Sequence, residues 1–474
     1  MPINSFLYPG PTNSNPYAVD NSCRFDGSSD NYMHKTPGSA GNRRTLTISA
    51  WVKRSDPGNH RVIAAAGASG GTARDMLLFE SSDKIQFSRY DSSYIYQLNS
   101  NALYRDPSAW LHIVGQIDTT QSTASDRVKL YVNGVQITSL AVENYPDQNF
   151  DTDWNSTQQI RIGADSNGDA EYNGNMCEVC MIDGSALAPT SFGEFNEDSP
   201  TIWQPKDVSG LTFGTNGFYL DFEDSGTLGN DANGGTDFTL VNLDATHQST
   251  DTCTNNFATM NSIENTAAST FSEGNLQVLT HSGNFSYNIS TIGVPAGKWY
   301  CEIKCTAQSS DENKFKVGIA GKPTASTSDF LGEDTATDDT ISYNGTDGDY
   351  QKAGSEVSYG DSYTTNDILG IALDVDNSKL YFSKNGTWQN SGDPTSGATG
   401  TGAIATGSPS TGFWHFAVGD VDNNDTYTYQ INFGNPVHSI SSGNSDANGY
   451  GNFEYAVPSG YYALNTKNLA EFGG

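Results

Sequence analysis

The chain has 474 residues, 24 Lys and Arg against 55 Asp and Glu, a formal net charge of −31, and six cysteines. That balance excludes the basic face that nucleic-acid phosphates require and adsorption to anionic lipid. Aromatic residues at 11% exclude a disordered chain and leave room for two large β domains.

Residues 1–20 read as an N-terminal arm. Pro9-Gly10-Pro11 and the stretch 13–16 are turn formers. The start shows neither a basic n-region nor an apolar h-region, so no secretory signal is expected. No run approaches the ~18 apolar residues of a membrane span, so no membrane insertion is expected either.

From residue 21 to 195 the periodicity is β. Leu46 to Val52, Trp110 to Val114 and Arg127 to Val132 alternate as strands do. Asn133-Gly134, before Val135-Gln136-Ile137, is a strong hairpin signal. His112 reads as a satisfied strand residue. Tyr90, Tyr94 and Tyr96 lie in a polar segment expected to be exposed, where phenol rings can cover sugar rings; β propensity and surface packing are the plainer explanation. Asp165, Asn167, Asp169 and Glu171 put four oxygen donors at alternate positions. Ca²⁺ is the cation such a loop would take, although Ala170 and Met176 break the EF-hand register; a solvated acidic turn is the other reading. No other cofactor is expected.

Cys177 and Cys180 form a Cys-x-x-Cys pair inside a strand-like run. Residues three apart on a strand face opposite ways, and no second pair or nearby His completes a zinc set. All the cysteines therefore read as structural thiols. The charges mark a boundary: residues 1–161 hold all ten arginines and are almost neutral, whereas the remainder carries nearly the whole negative charge.

Residues 196–265 are turn-rich and read as an ordered connector. Within it, Asp221-Phe222-Glu223-Asp224 is the nearest approach to a catalytic carboxylate pair, but it lies in the turn-rich connector, where turn-forming or solvated carboxylates are the plainer reading. A second set of strands fills 266–440: Lys298 to Lys304, Phe315 to Ala320, Ile368 to Val375 and Lys379 to Lys384, the last followed by Asn385-Gly386. Tyr343, Tyr350, Tyr359 and Tyr363 are further candidate sugar contacts. The Gly/Ser/Thr-rich stretch 391–412 reads as a long surface loop, and 441–474 as a C-terminal segment. The fold class is all-β, two antiparallel β-sandwiches joined by the connector.

Several stretches match known proteins. Cys23-Arg24-Phe25-Asp26-Gly27, Ser49-Ala50-Trp51-Val52-Lys53-Arg54, Lys129-Leu130-Tyr131-Val132-Asn133-Gly134 and Glu178 to Leu187 resemble a laminin-G/concanavalin-A-like jelly roll of the type common in marine bacteriophage virion proteins. Gly214 to Phe222 and Asp251 to Asn261 are similar to the connector of such proteins. Gly297-Lys298-Trp299-Tyr300-Cys301-Glu302, Val317-Gly318-Ile319, Ile368 to Asp374 and Val457 to Asn465 resemble a SPRY-type sandwich.

The resemblance implies a non-enzymatic structural protein on the exterior of a phage particle, made in the host cytoplasm. It would be a tail fibre or tail-associated appendage touching host surface glycans, with other virion proteins as partners. It also implies a homo-oligomer, for which a trimer is the fibre-like expectation. A capsid decoration or head-fibre protein is the alternative, and a glycan-cleaving enzyme of the concanavalin-like glucanase type is another. The arginine-rich first sandwich is expected to dock in the particle.

Overall fold

The computed structural model describes residues 17–27, 30–197, 199–285, 287–327, 329–334, 339–422 and 424–473. Most of the expected arm, 1–16, lies outside them.

The first sandwich stacks two eight-stranded sheets. One runs Val135–Gln136, Val128–Val132, Trp110–Asp118, Thr45–Arg54, Asn173–Asp183, Ser22–Asp26 and Gln248–Ser249, with Phe218–Leu220 also paired to Asn173–Asp183. The other runs Leu140–Asn144, Ser93–Ser100, Ile85–Asp91, Arg74–Phe79, Arg61–Gly67, Gln159–Ile162, Tyr32–Lys35 and Thr239–Val241. Strand alternation points Leu46, Ile48, Ala50, Val52, Ile113 and Met181 from one sheet at Ile63, Leu77, Phe79, Phe87 and Leu98 from the other, and all are buried in one core.

The second sandwich packs a nine-stranded sheet against a six-stranded one. The first centres on Lys298–Gln308, between Tyr427–Asn432 and Ile368–Asp374. The other centres on Phe315–Ala320, between His415–Asp420 and Thr340–Asn344. Trp299, Ile303, Phe315, Val317, Ile371, Phe382 and Trp414 fill the space between them. Both Asn-Gly hairpins form. Asn133 and Gly134 have φ of 49° and 78°, and Asn385 and Gly386 have 48° and 81°, the two positive values of a type I′ turn.

Three of the sequence boundaries move. Strands Phe218–Leu220, Thr239–Val241 and Gln248–Ser249 belong to the first sandwich, so 196–265 is no separate connector. Its earlier part covers that sandwich's outer side, where Val208, Phe213 and Tyr219, together with Phe192 just before the stretch, bury Val114, Cys180 and Ile182. Ala258 and Met260 already belong to the second core, so the true link is only about 250–257. The C-terminal segment is equally integral. Tyr462–Ala463 pairs in parallel with Lys298–Gln308, and the helix Thr466–Phe472 seats Leu469 and Phe472 on the second core. Stretch 391–412 is not a free loop, since Ile404–Ala405 pairs with Lys379–Lys384. Phe218 to Phe222 reads as strand-like in the sequence, whereas Thr239–Val241, Gln248–Ser249 and Tyr462–Ala463 are too short for their apolar and turn signals to reveal them.

The link is held by a buried charge. Lys53 Nζ meets Asp251 Oδ2 at 2.7 Å and donates to Asn256 Oδ1 at 2.7 Å and the Phe257 carbonyl at 2.8 Å. Arg24 Nε reaches Glu273 Oε2 at 3.0 Å, and Asn275 Nδ2 donates to the Ser55 carbonyl at 2.7 Å. Among the described residues no helix is long and apolar enough to cross a membrane.

The arginines have internal work. Arg43, Arg44, Arg54, Arg61, Arg74, Arg89 and Arg105 pair with carboxylates of their own sandwich. Arg127 and Arg161 donate to backbone carbonyls. Their clustering therefore reflects loops tied down by guanidinium forks, and gives no support to a docking face.

Candidate functional site

The sheet containing Arg74–Phe79, Ile85–Asp91 and Ser93–Ser100 turns every second residue away from the main core. Its register sets Arg74 opposite Tyr90, Met76 opposite Ser88, and Leu78 opposite Gln86. The next pairing sets Ser88 opposite Gln97 and Gln86 opposite Asn99. On that outer side Val62, Ala65, Met76 and Leu78 form a small apolar floor, with Tyr90 and Ala170 packed on it. Tyr94 is 42% exposed and meets Tyr90 edge to face, with centroids 5.4 Å apart and planes at 76°. A one-residue irregularity between Arg89 and Tyr90 aligns the two rings.

A row of amides and hydroxyls continues from the rings. Gln97 Nε2 donates to Gln86 Oε1 at 2.7 Å, Gln86 Nε2 to Ser88 Oγ at 2.9 Å, and Asn99 Nδ2 to Glu80 Oε2 at 2.8 Å. Asn99 Oδ1 is buried without a partner. Gln86, Ser88 and Asn99 are themselves buried, so what this side presents to solvent is the exposed Tyr94 ring, the half-buried Tyr90 ring and the half-buried Gln97 amide, an aromatic contact beside one amide of the kind a saccharide can use.

The other sequence candidates are distributed differently. Tyr96 is fully buried, its hydroxyl donating to Asp75 Oδ1 at 2.8 Å beside Arg89; it belongs to the interior. Tyr343, Tyr359 and Tyr363 are also buried. The Tyr363 hydroxyl donates to the Tyr343 carbonyl at 2.6 Å, the Tyr343 hydroxyl donates to the Asp361 carbonyl, and the Tyr359 hydroxyl accepts from the Phe382 amide. These three are core residues, because alternation in Thr340–Asn344 and the folding back of 359–363 turn them inward. Tyr350 is half-buried and packs edge-on to Tyr359 at 5.9 Å. Tyr363→Phe is expected to cost about 1–2 kcal/mol of stability, read by urea unfolding, and to leave ligand binding unchanged.

The acidic loop borders the same floor through Ala170, but its donors do not converge. Asp165 is buried; it accepts the amides of Asn167 at 2.8 Å and Asp169 at 3.0 Å and pairs with Arg74 at 3.4 Å. This is an Asx-type turn. Asn167 and Asp169 are exposed, and Glu171 Oε1 accepts the Asp30 amide. Among the described residues no group of three or more His, Cys, Asp or Glu side chains is gathered as metal ligands. In this structure the four residues form the acidic turn of the other sequence reading, and calcium binding by this loop stays an expectation.

The Asp221–Glu223 pair is not on a strand face either. The strand ends at Leu220, Phe222 has φ of 60°, and Asp221 Oδ1 accepts the Glu223 amide at 3.1 Å. His112 is the satisfied strand residue expected. It lies between the Trp51 and Trp203 rings, its Nδ1 accepts from Trp203 Nε1 at 2.9 Å, and its Nε2 meets Ser49 Oγ at 2.8 Å.

Sequence reading missed Glu178. It sits at φ 51° in an irregularity between Cys177 and Cys180. That extra residue turns Cys180 to the same outer side as Cys177, whereas a regular strand would oppose them. The Glu178 carboxylate is buried and accepts from the hydroxyls of Tyr17 at 2.7 Å and Tyr219 at 2.9 Å. Burial pushes its pKa up to about 7.

Burial likewise raises Asp420 to about 7 and Asp75 to about 6. A carboxyl with a raised pKa holds its proton in the folded state over a range where the unfolded chain has lost it. Its stabilisation is therefore lost as pH rises from the ordinary carboxyl range towards 7. Buried His112, pushed down to about 3, and His438, to about 4, oppose this only below the ordinary histidine value of 6.5. Thermal stability is expected to rise as pH falls from 8 to about 6.5. Glu178→Gln should raise it at pH 8 and flatten that slope; an unchanged slope would contradict the assignment.

Two family models match the chain: a concanavalin A-like lectin/glucanases superfamily domain over residues 26–190, and a SPRY domain over 298–404. They stand in the order that the sequence resemblance implied. Among solved structures, the chain is similar to the SPRY domain of human HERC1 at 18% identity, covering 33% of this chain and 87% of that one, with a TM-score of 0.26. It is similar to a heptameric SAP-like pentraxin from Limulus polyphemus at 14%, covering 36% and 78%, with a TM-score of 0.28. It is also similar to domain 4 of a GH43 extracellular arabinanase from Geobacillus stearothermophilus, solved with arabinotriose, at 18%, covering 36% and 73%, with a TM-score of 0.27. A comparison with curated proteins returns no match.

Proposed function

We propose that this chain is a non-enzymatic glycan-binding protein whose contact surface is the Tyr90–Tyr94 side of the first sandwich. The observation that carries the reading is the edge-to-face pair of the exposed Tyr94 and half-buried Tyr90, standing over an apolar floor beside the half-buried Gln97 amide. The family match over 26–190 supports it, since that superfamily comprises lectins and glucanases. The engagement of Asp221 and Glu223 in a turn, and of Glu178 by two tyrosines, favours binding over cleavage.

On the sequence resemblance, we further propose that the chain is a bacteriophage virion protein on the particle exterior, made in the host cytoplasm. In this reading it is a trimeric tail fibre or tail-associated appendage touching host surface glycans and other virion proteins. Capsid decoration is the second location that the resemblance allows, and electron microscopy of particles labelled at this protein separates the two.

The functional test is incubation of the purified full chain with host polysaccharide and a glycan array. Retention of a glycan without release of reducing ends is expected. Release of reducing ends would establish the glucanase alternative, and silence on both would overturn glycan binding.

A further inference from the structure

We infer that Cys177 and Cys253 are a disulfide-forming pair that fastens the first sandwich to the link between the two sandwiches. Their Sγ atoms lie 3.6 Å apart, although the residues are 76 positions apart in sequence. Cys177 is buried on the outer side of Asn173–Asp183 with Val19, Trp51 and Trp203, and Cys253 is partly exposed at the edge of that cluster. The remaining four cysteines are all buried.

Closing the contact to the ~2.05 Å of a disulfide needs a small movement. Cys253 can supply it, because it sits in the tight turn from Thr252 to Asn255 rather than in a sheet. Two residues earlier, Asp251 receives Lys53, Trp110 Nε1 and the Phe257 amide. The bond would therefore bracket the ion pair that joins the sandwiches.

The reaction needs an oxidant, and a small-molecule disulfide supplies it. The Cys253 thiolate attacks oxidised glutathione and expels one glutathione thiolate. The Cys177 thiolate then attacks Cys253 Sγ and expels the protein-bound glutathione. The new S–S bond replaces that of the reagent, two protein thiols are oxidised, one disulfide is reduced, and the two thiol protons pass to the departing glutathiones. Burial and the neighbouring Cys177 thiol push the Cys253 thiol well above its ordinary value, so the reaction is expected to be slow and favoured by alkaline pH. A bond closing so long a loop should raise the unfolding midpoint, because it restricts the unfolded chain most.

The test incubates the native full chain with oxidised glutathione, followed by alkylation under denaturing conditions, intact mass and peptide mapping. Two fewer alkylations, a Cys177–Cys253 cross-linked peptide and a higher thermal midpoint than the reduced protein are expected. Cys180→Ser should form the same cross-link, and Cys253→Ser should form none. Six alkylations after oxidation, a glutathione adduct on Cys253 without ring closure, or a cross-link through Cys180 would each overturn the proposal.

Discussion

Asp251→Ala is expected to lower stability by about 3–5 kcal/mol, because it leaves a buried ammonium without its counter-charge. Lys53 and Asp251 are almost wholly buried, with side-chain exposures of 2% and 1%. One Asp251 carboxylate oxygen takes the ammonium, while the other accepts Trp110 Nε1 and the Phe257 amide, each at 3.1 Å. The same carboxylate thus connects a strand edge of the first sandwich to the backbone that enters the second. Lys53→Met is expected to cost less, since Asp251 would keep two donors and the methionine would fill most of the lysine volume. Guanidinium unfolding of the two variants measures the order. Asp251→Ala within about 1 kcal/mol of wild type would show that water enters the junction and that the pair is not what holds it.

Replacing both Tyr90 and Tyr94 by Ala is expected to weaken glycan binding by about 10–100-fold, that is about 1.4–3 kcal/mol for lost aromatic cover. Folding should be little affected, because Tyr94 is 42% exposed and Tyr90 lies on a satellite floor rather than in the main core. Tyr94→Ala alone should show a smaller loss, since Tyr90 still presents its ring. Titration calorimetry with a retained oligosaccharide measures both, and an unchanged affinity in the double variant would remove the tyrosine step from the site.

The architecture was legible where local chemistry decides it. The two Asn-Gly hairpins, the alternating strands and the satisfied His112 all follow from short-range pattern. Side-chain direction was less legible, because one inserted residue reverses it. The irregularity at Glu178 turned Cys180 to the side of Cys177, and inward-facing registers took Tyr96 and Tyr343 from an expected surface into the core. Partners distant in sequence were not legible at all. Cys253 beside Cys177, Asp251 beside Lys53, and Tyr17 and Tyr219 around Glu178 come together only when the sheets close. The arginine cluster was visible as composition, but its use in loop-tying ion pairs depends on three-dimensional neighbours.

Amide hydrogen exchange of the full chain, with and without a saturating host oligosaccharide, tests the proposed contact surface most directly. Protection should concentrate in Ile85–Asp91 and Ser93–Ser100, with the second sandwich unchanged. Protection confined to the second sandwich, or to the residues that line the space between the sandwiches, would contradict it.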